Sequence, residues 1–222
     1  TATSCFHPRT VSMRITQGDY TVPDCSQFFQ DRYDNPEFVL PKCTLIWGQN
    51  PAATCNDGFM APWIIDCMKR GTKAIVVDPI YTWVASKAAL WLQLRPGTDG
   101  ALALGLLHVI INEGLYDKEF VEKWTHGFDK LAQRVKEYPP EKVAEITWVP
   151  KEKIIEAARL FATSHPASIQ WGVPVDQGPE GSVIAQAINH LWAITGNIDI
   201  PGGNVIARPS HGVTSYPYTQ DE

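Results

Sequence analysis

Short apolar runs alternate along the chain with longer segments of helical periodicity. Four apolar runs of strand length lie at residues 43–47, 73–78, 91–95 and 167–172. The run at 73–78 is apolar without alternation, which predicts a strand covered on both faces of a sheet. Apolar residues at helical spacing predict helices over residues 59–70, 100–113, 151–164 and 182–195.

This order of elements predicts one α/β domain. Strands that alternate with helices favour a parallel sheet with helices on both faces, a three-layer α/β/α arrangement of the doubly wound, Rossmann-like kind. We expect the strands near 43–48, 73–78 and 167–172 to be neighbours, within one Rossmann-like domain over residues 43–203. Residues 1–42, rich in proline, are predicted to be an irregular lead-in with a short helix near 26–33. Residues 204–222 are predicted to be a tail that leads toward a further segment.

Composition and charge narrow the class of protein. The 222 residues are 44% hydrophobic and 19% charged, ordinary for a globular chain and unlike a disordered, collagen-like or coiled-coil one. The net charge is −5 and no cluster of basic residues occurs, which argues against a nucleic-acid binder. The longest apolar stretch, residues 101–111, is too short to span a bilayer, so we expect no membrane span in this chain.

The cysteine pattern argues against a zinc site or an iron–sulfur cluster bound by this chain alone. The five cysteines are Cys5, Cys25, Cys43, Cys55 and Cys67. None forms a C-x-x-C pair, so neither a zinc ribbon nor a complete iron–sulfur site is encoded. We expect the isolated chain to carry no metal and no iron–sulfur cluster.

Small and acidic residues follow the predicted strands, where open parallel sheets bind ligands. Gly48 and Gly172 permit close backbone approach, and the loop after Gly48 offers N–H groups to a phosphate. Asp78 suits a ribose hydroxyl or a guanine edge, and Asp99 matches the two adjacent N–H donors of guanine. Each feature also has an ordinary explanation, since glycine is common in turns and Asp99 is placed to cap a helix. The chain has no G-x-G-x-x-G motif, which counts against an ordinary NAD or FAD site.

Several motifs in series resemble one known family. They are the segments at residues 47–51 (WGQNP), 76–79 (VVDP), 94–99 (LRPGTD), 108–117 (HVIINEGLYD) and 195–197 (TGN). Over residues 43–203 the chain resembles the molybdopterin oxidoreductases, which include dimethyl sulfoxide reductase and formate dehydrogenase. The stretch is similar to the third domain of that family, which holds one of two molybdopterin guanine dinucleotides around molybdenum or tungsten.

The resemblance implies a set of cofactor-binding residues. Gly48 and Asn50 would lie along the dinucleotide, and Asp78 and Asp99 would contact its guanosine end. The same groove would be lined by Thr82, Gly97 and Gly172.

The resemblance also implies where the metal ligand lies. The family's ligand precedes this domain, and the matching segment here begins Ser4-Cys5-Phe6-His7. Cys5 is therefore the candidate ligand, because a thiolate suits a metal already held by dithiolenes. His7 and Arg9 would supply a proton and a positive charge nearby. Formate dehydrogenases place histidine directly after the ligand, whereas Phe6 intervenes here. Without the resemblance, Cys5 is simply a thiol near one end of the chain.

The predicted function is therefore the cofactor-binding part of a larger molybdenum or tungsten oxidoreductase. The alternatives are a non-redox hydratase or transhydroxylase of the same family, or a nucleotide-binding domain without chemistry. The partners implied are the remaining domains of the enzyme and electron-transfer subunits. A 4Fe–4S cluster is expected only in the family's amino-terminal domain, outside these 222 residues, and we expect the fragment alone to be inactive.

Overall fold

The structure is a computed structural model and describes residues 7–25, 39–54, 59–178 and 180–206. Six strands are present in this part: β1 (Thr21–Pro23), β2 (Cys43–Trp47), β3 (Lys73–Val77), β4 (Leu90–Leu92), β5 (Ala167–Trp171) and β6 (Asn204–Ile206). The helices among these residues are α1 (His7–Gln17), α2 (Pro51–Thr54), α3 (Met60–Lys69), α4 (Asp99–Asn112), α5 (Lys118–Trp124), α6 (Phe128–Val135), α7 (Pro140–Thr147), α8 (Lys151–Thr163) and α9 (Gly181–Ile194). Short 3₁₀ turns cover Ala85–Lys87 and Val173–Val175.

Four strands form a parallel sheet in the order β4-β3-β2-β5. The predicted neighbours are confirmed, with Leu45 opposite both Ile75 and Ile169. The chain builds the sheet outward from β2 to β4 and then returns to place β5 on the other side of β2. The strand order therefore reverses between β2 and β5, which is the topological switch point of a doubly wound sheet.

Both faces of the sheet are buried, as the run without alternation predicts. Leu45 and Ile75 point into the larger core, which is shared with α4, α8 and α9. Ile46 and Val76 point the other way, toward Trp63 and the rest of α3. The predicted α/β fold class is confirmed. Among the described helices, none is long and apolar enough to cross a membrane.

The prediction of an irregular lead-in is wrong for residues 7–23. They form α1 and β1, and β1 pairs antiparallel with β6. The buried positions of α1 do recur at helical spacing, but they include Arg9 and Ser12, whose partners Asp176 and Asn189 lie far along the chain. A hydrophobic pattern cannot reveal a helix whose buried face is held by such polar contacts.

Smaller expectations are also corrected. The third strand of the sheet is Leu90–Leu92 rather than residues 91–95. Asn204–Ile206 belongs to the fold as β6 rather than to a departing tail. The side chain of Asn204 explains this, because it bonds both the N–H and the carbonyl of Ile169 and so closes the outer edge of β5. The helix expected near 26–33 and the rest of the tail lie outside the described residues.

Candidate functional site

A cavity of about 1120 Å³ opens where the four parallel strands end. Its walls come from the loops that follow all four strands, together with the start of α1. Seven of the residues selected from the sequence line it: Arg9, Gly48, Asn50, Asp78, Gly97, Asp99 and Gly172. The switch point of the sheet lies in its floor, as expected for a ligand site in an open α/β sheet.

At the switch point the loops after β2 and β5 touch through their backbones. The N–H of Gly172 donates to the carbonyl of Trp47 at 2.8 Å. A Cβ at position 172 would lie 2.0 Å from the carbonyl oxygen of Gly48, closer than any side chain tolerates. Gly48 itself has a φ of 58°, a left-handed conformation that favours glycine. Gly172 is therefore required by the contact between the two loops, whatever the cavity binds.

Two buried amide oxygens lie next to this contact. Gln49 Oε1 and Asn50 Oδ1 line the cavity region, and neither has a hydrogen-bond partner in the described structure. A buried polar atom without a partner carries a free-energy cost of roughly 1–3 kcal/mol, which a bound ligand or an ordered water removes. Asn50 belongs to the predicted set. Gln49 was missed, although it stands between Gly48 and Asn50 in the motif.

Asp78 follows β3 and reaches the cavity with one carboxylate oxygen already engaged. Its Oδ1 accepts the backbone N–H of Ile80 at 2.8 Å, and the side chain of Trp91 donates to its backbone carbonyl at 2.9 Å. The residue is 8% exposed. Burial raises the pKa of the Asp78 carboxyl, and the hydrogen bond from Ile80 opposes that rise. The carboxyl is thus held in place and still able to accept a donor from the cavity.

Asp99 begins α4 but does not cap it. Its Oδ1 accepts the indole N–H of Trp47 at 2.7 Å, and the residue before it, Thr98, makes no side-chain hydrogen bond to the helix. The Thr98 hydroxyl instead donates to the carbonyl of Arg95. The ordinary explanation of Asp99 as a helix cap is therefore not the one that the structure adopts.

Thr82 lies apart from the other members of the predicted set. Its hydroxyl oxygen accepts the backbone N–H of Ala85 at 3.1 Å and so begins the 3₁₀ turn that follows β3. The residue is buried and does not line the cavity.

The predicted catalytic residues have different environments. Arg9 is buried in an ion pair with Asp176: its backbone N–H and Nε donate to the two carboxylate oxygens at 3.0 and 2.7 Å, and Nη2 also contacts Oδ2. Its Nη1 donates to the carbonyl of Trp171 at 3.1 Å. His7 is the exposed first residue of α1, and Cys5 lies outside the described residues.

Asp176 and the distribution of possible metal ligands complete the description of this site. Asp176, which the sequence analysis missed, compensates the charge of Arg9 and ties the start of α1 to the loop after β5. Within the described ranges, no group of three or more His, Cys, Asp or Glu side chains forms a metal site. The cavity offers hydrogen-bond acceptors to a ligand, namely the amide oxygens of Gln49 and Asn50 and the carboxylates of Asp78 and Asp99.

The chain matches known proteins over most of its length. The family model described as molybdopterin oxidoreductase matches residues 38–211. Acetylene hydratase of Syntrophotalea acetylenica is 44% identical over 80% of the chain, and formate dehydrogenase H of Escherichia coli is 36% identical over 78%. Dimethyl sulfoxide reductase DmsA of Escherichia coli is 33% identical over 81% of the chain.

A solved structure agrees with these matches. Acetylene hydratase from Pelobacter acetylenicus superposes with a TM-score of 0.82 at 39% identity, over 94% of this chain and 26% of that one. The chain spans about a quarter of the length of each of the three relatives, 24%, 23% and 24% respectively.

Proposed function

The chain belongs to the molybdopterin oxidoreductase family, and we propose that it forms the part of a larger molybdenum or tungsten enzyme that holds one molybdopterin guanine dinucleotide. The remaining domains of that enzyme are its first partners. A 4Fe–4S cluster in an amino-terminal domain, and electron-transfer subunits beyond it, belong to the same proposal.

One observation carries the proposal: Gln49 Oε1 and Asn50 Oδ1 are buried beside the cavity without a partner in the described structure. Both atoms are acceptors, so the ligand must present N–H or O–H donors there. A dinucleotide with a pterin, ribose hydroxyls and a guanine offers such donors along its length. The residues present therefore fit the group that the family implies.

Different cavity residues contact different parts of the proposed dinucleotide. Gly48 and Gly172 keep the walls free of side chains where the switch point narrows, and Asn50 faces the dinucleotide there. Asp78 and Asp99 hold carboxylate oxygens for its guanosine end, on the loops after β3 and β4. Gly97 belongs to the Asp99 loop, and Thr82 supports the Asp78 loop from outside the cavity.

The metal centre is proposed to lie beyond the start of α1, with Cys5 as its protein ligand. When bound, the molybdenum or tungsten centre supplies the redox or Lewis-acid chemistry of the enzyme. His7 begins α1 exposed, so it is able to exchange a proton with a substrate. Arg9, predicted to supply a positive charge near the metal, forms an ion pair with Asp176 that holds α1 against the cavity wall.

The reaction is proposed to be oxidoreduction, with non-redox hydration as the second candidate. The hydratase has a specific observation in its favour, because this chain is 44% identical to acetylene hydratase and 36% identical to formate dehydrogenase H. Phe6, which separates Cys5 from His7, also departs from the formate dehydrogenase pattern.

The binding proposal is tested by the nucleotide content of the full-length enzyme. We expect Asn50→Ala to lose guanine nucleotide about fivefold faster than the parent, since one hydrogen bond to the dinucleotide disappears. Asn112→Ala is the matched control, because Asn112 ends α4 and bonds only His108 among the described residues. Equal nucleotide release from both variants would contradict the proposal.

The two reactions are separated by their need for an electron acceptor. An oxidoreductase turns over only with an acceptor or donor such as a soluble redox dye. A hydratase converts acetylene to acetaldehyde without one. Acetylene turnover by the full-length enzyme in the absence of any dye would replace the first candidate by the second.

A further inference from the structure

We propose that Trp47 is a positioning residue that orients the Asp99 carboxylate and thereby sets which base the cavity retains. This inference rests on the proposed guanine dinucleotide function and extends it to a residue that cannot itself reach the ligand, because Trp47 is 0% exposed.

Asp99 is free to serve a ligand because the helix does not use it. Thr98 is the N-cap residue of α4, so Asp99 stands at the first helical position and its carboxylate is not needed to cap the first turn. Its Oδ1 instead accepts the Trp47 indole N–H at 2.7 Å. Among the described residues, Oδ2 has no hydrogen-bond donor, and Asp99 lines the cavity.

Trp47 is held rigidly enough to act as a fixed donor. It ends β2, the strand between β3 and β5, and its carbonyl accepts the N–H of Gly172 at 2.8 Å. The next residue, Gly48, donates its N–H to Val77 on the other side at 2.8 Å. The indole packs in the larger core. With backbone and ring both fixed, the N–H direction is fixed, and so is the oxygen of Asp99 that receives it.

This arrangement selects a class of ligand. With one lone pair of Oδ1 accepting the indole N–H, the other lone pair of Oδ1 and both of Oδ2 remain as acceptors, and a carboxylate is the partner of two adjacent N–H donors. Guanine carries such a pair, its ring N–H and its amino group, whereas adenine and cytosine have ring acceptors beside their amino groups. The Trp47–Asp99 pair therefore favours guanine over the other two bases.

The test uses the amide of an Asp99→Asn variant as a reporter of orientation in the full-length enzyme. An indole N–H bonds the amide oxygen and not the amide nitrogen, so Trp47 turns the NH₂ group toward the guanine donors. We expect Asp99→Asn to lose guanine nucleotide about tenfold faster than Asp99→Ala, where no group opposes those donors. Nucleotide released by acid and separated by chromatography gives the content per polypeptide.

Adding Trp47→Phe to Asp99→Asn should reverse part of this loss. Without the indole N–H the amide is able to rotate and offer its oxygen, so the double variant retains more nucleotide than Asp99→Asn alone. If Trp47 only packed in the core, the nucleotide losses caused by Trp47→Phe and Asp99→Asn would add. Trp47→Phe by itself should lower nucleotide content below that of the parent.

Two buried tryptophans supply matched controls. Trp63 is 1% exposed, and its indole N–H has no partner among the described residues. The indole N–H of Trp192 donates to Gln17 Oε1 at 3.0 Å, and Trp192 does not line the cavity. Trp63→Phe and Trp192→Phe should keep parental nucleotide content.

The outcomes separate the two claims. If Asp99→Ala loses nucleotide but Asp99→Asn retains as much or more, the role of Trp47 is overturned and the proposed function stands. If Asp99→Ala retains parental content, the guanine contact in the proposed function fails as well. The comparison of Asp99→Ala with Asp99→Asn keeps Trp47 intact, so it decides the matter even if Trp47→Phe does not fold.

Discussion

Arg9 and Asp176 form a buried ion pair between positions 167 residues apart in the chain. The guanidinium and the backbone N–H of Arg9 both donate to the Asp176 carboxylate, whose side chain is fully buried. The pair joins α1 to the turn after β5, so it connects the segment that follows the proposed metal ligand to the wall of the cavity.

Removing one partner of this pair should be strongly destabilising. Asp176→Ala removes the buried carboxylate that pairs with the Arg9 guanidinium, a loss of roughly 3–5 kcal/mol in the free energy of unfolding. Chemical denaturation of parent and variant measures the difference. Glu119→Ala is the control, because its exposed ion pair with Lys123 contributes at most about 0.5 kcal/mol. Similar losses in both variants would show that the buried pair contributes no more to the free energy of unfolding than the exposed pair does.

Gly172→Ala should destabilise the fold more than Gly97→Ala. The added Cβ at position 172 meets the Gly48 carbonyl at 2.0 Å, so two adjacent strand ends must separate. The cost should exceed the roughly 1–3 kcal/mol of ordinary overpacking. At position 97 the Cβ enters open space, and only the φ of 81° opposes it, at roughly 1–2 kcal/mol. Thermal unfolding of the two variants ranks them, and the reverse order would refute the contact.

Asp78 should make stability depend on pH in an unusual direction. Because burial raises the pKa of its carboxyl in the folded state, its protonated form is favoured by folding. That contribution is complete below the unfolded pKa of about 3.9 and is lost as pH rises through the folded pKa. Asp78→Asn keeps an oxygen for the Ile80 N–H and removes the buried charge.

The cofactor-free protein carrying Asp78→Asn should therefore gain stability over the parent at neutral pH, and the gain should vanish toward pH 3. Unfolding midpoints across this range measure it, with exposed Asp129→Asn as the control. In the full-length enzyme the same variant should retain less guanine nucleotide. If the stability difference between Asp78→Asn and the parent were the same at all pH values, the charge of Asp78 would not be its cause.

Cys5→Ala in the full-length enzyme should abolish turnover and leave guanine nucleotide content near that of the parent. The dinucleotide is proposed to be held by Asn50, Asp78 and Asp99, whereas the Cys5 thiolate is proposed to bind only the metal and to tune its reactivity. Cys25→Ala is the control and should remain active. Turnover at the parental rate in Cys5→Ala would exclude Cys5 as the ligand.

Local patterns were sufficient for the sheet and for most of the cavity. Apolar runs predicted β2, β3 and β5, because a parallel strand buried on both faces carries mostly apolar side chains without strict alternation. Glycine and aspartate after these strands predicted the cavity lining, since parallel strands bring their carboxyl ends to one edge. Gly48, Asp78 and Asp99 were found in this way from the sequence alone.

Only the tertiary structure decided which partner each of these side chains has. The helix α1 was missed because half of its buried residues, Arg9 and Ser12, are polar and bond Asp176 and Asn189 far along the chain. Asp99 had the sequence of a helix cap, yet its carboxylate bonds Trp47, 52 residues away. A sequence shows which residues carry donors and acceptors, but which of them pair depends on positions that only the folded chain brings together. Asp99 therefore bonds Trp47 and lines the cavity, although its sequence position suggests a helix cap.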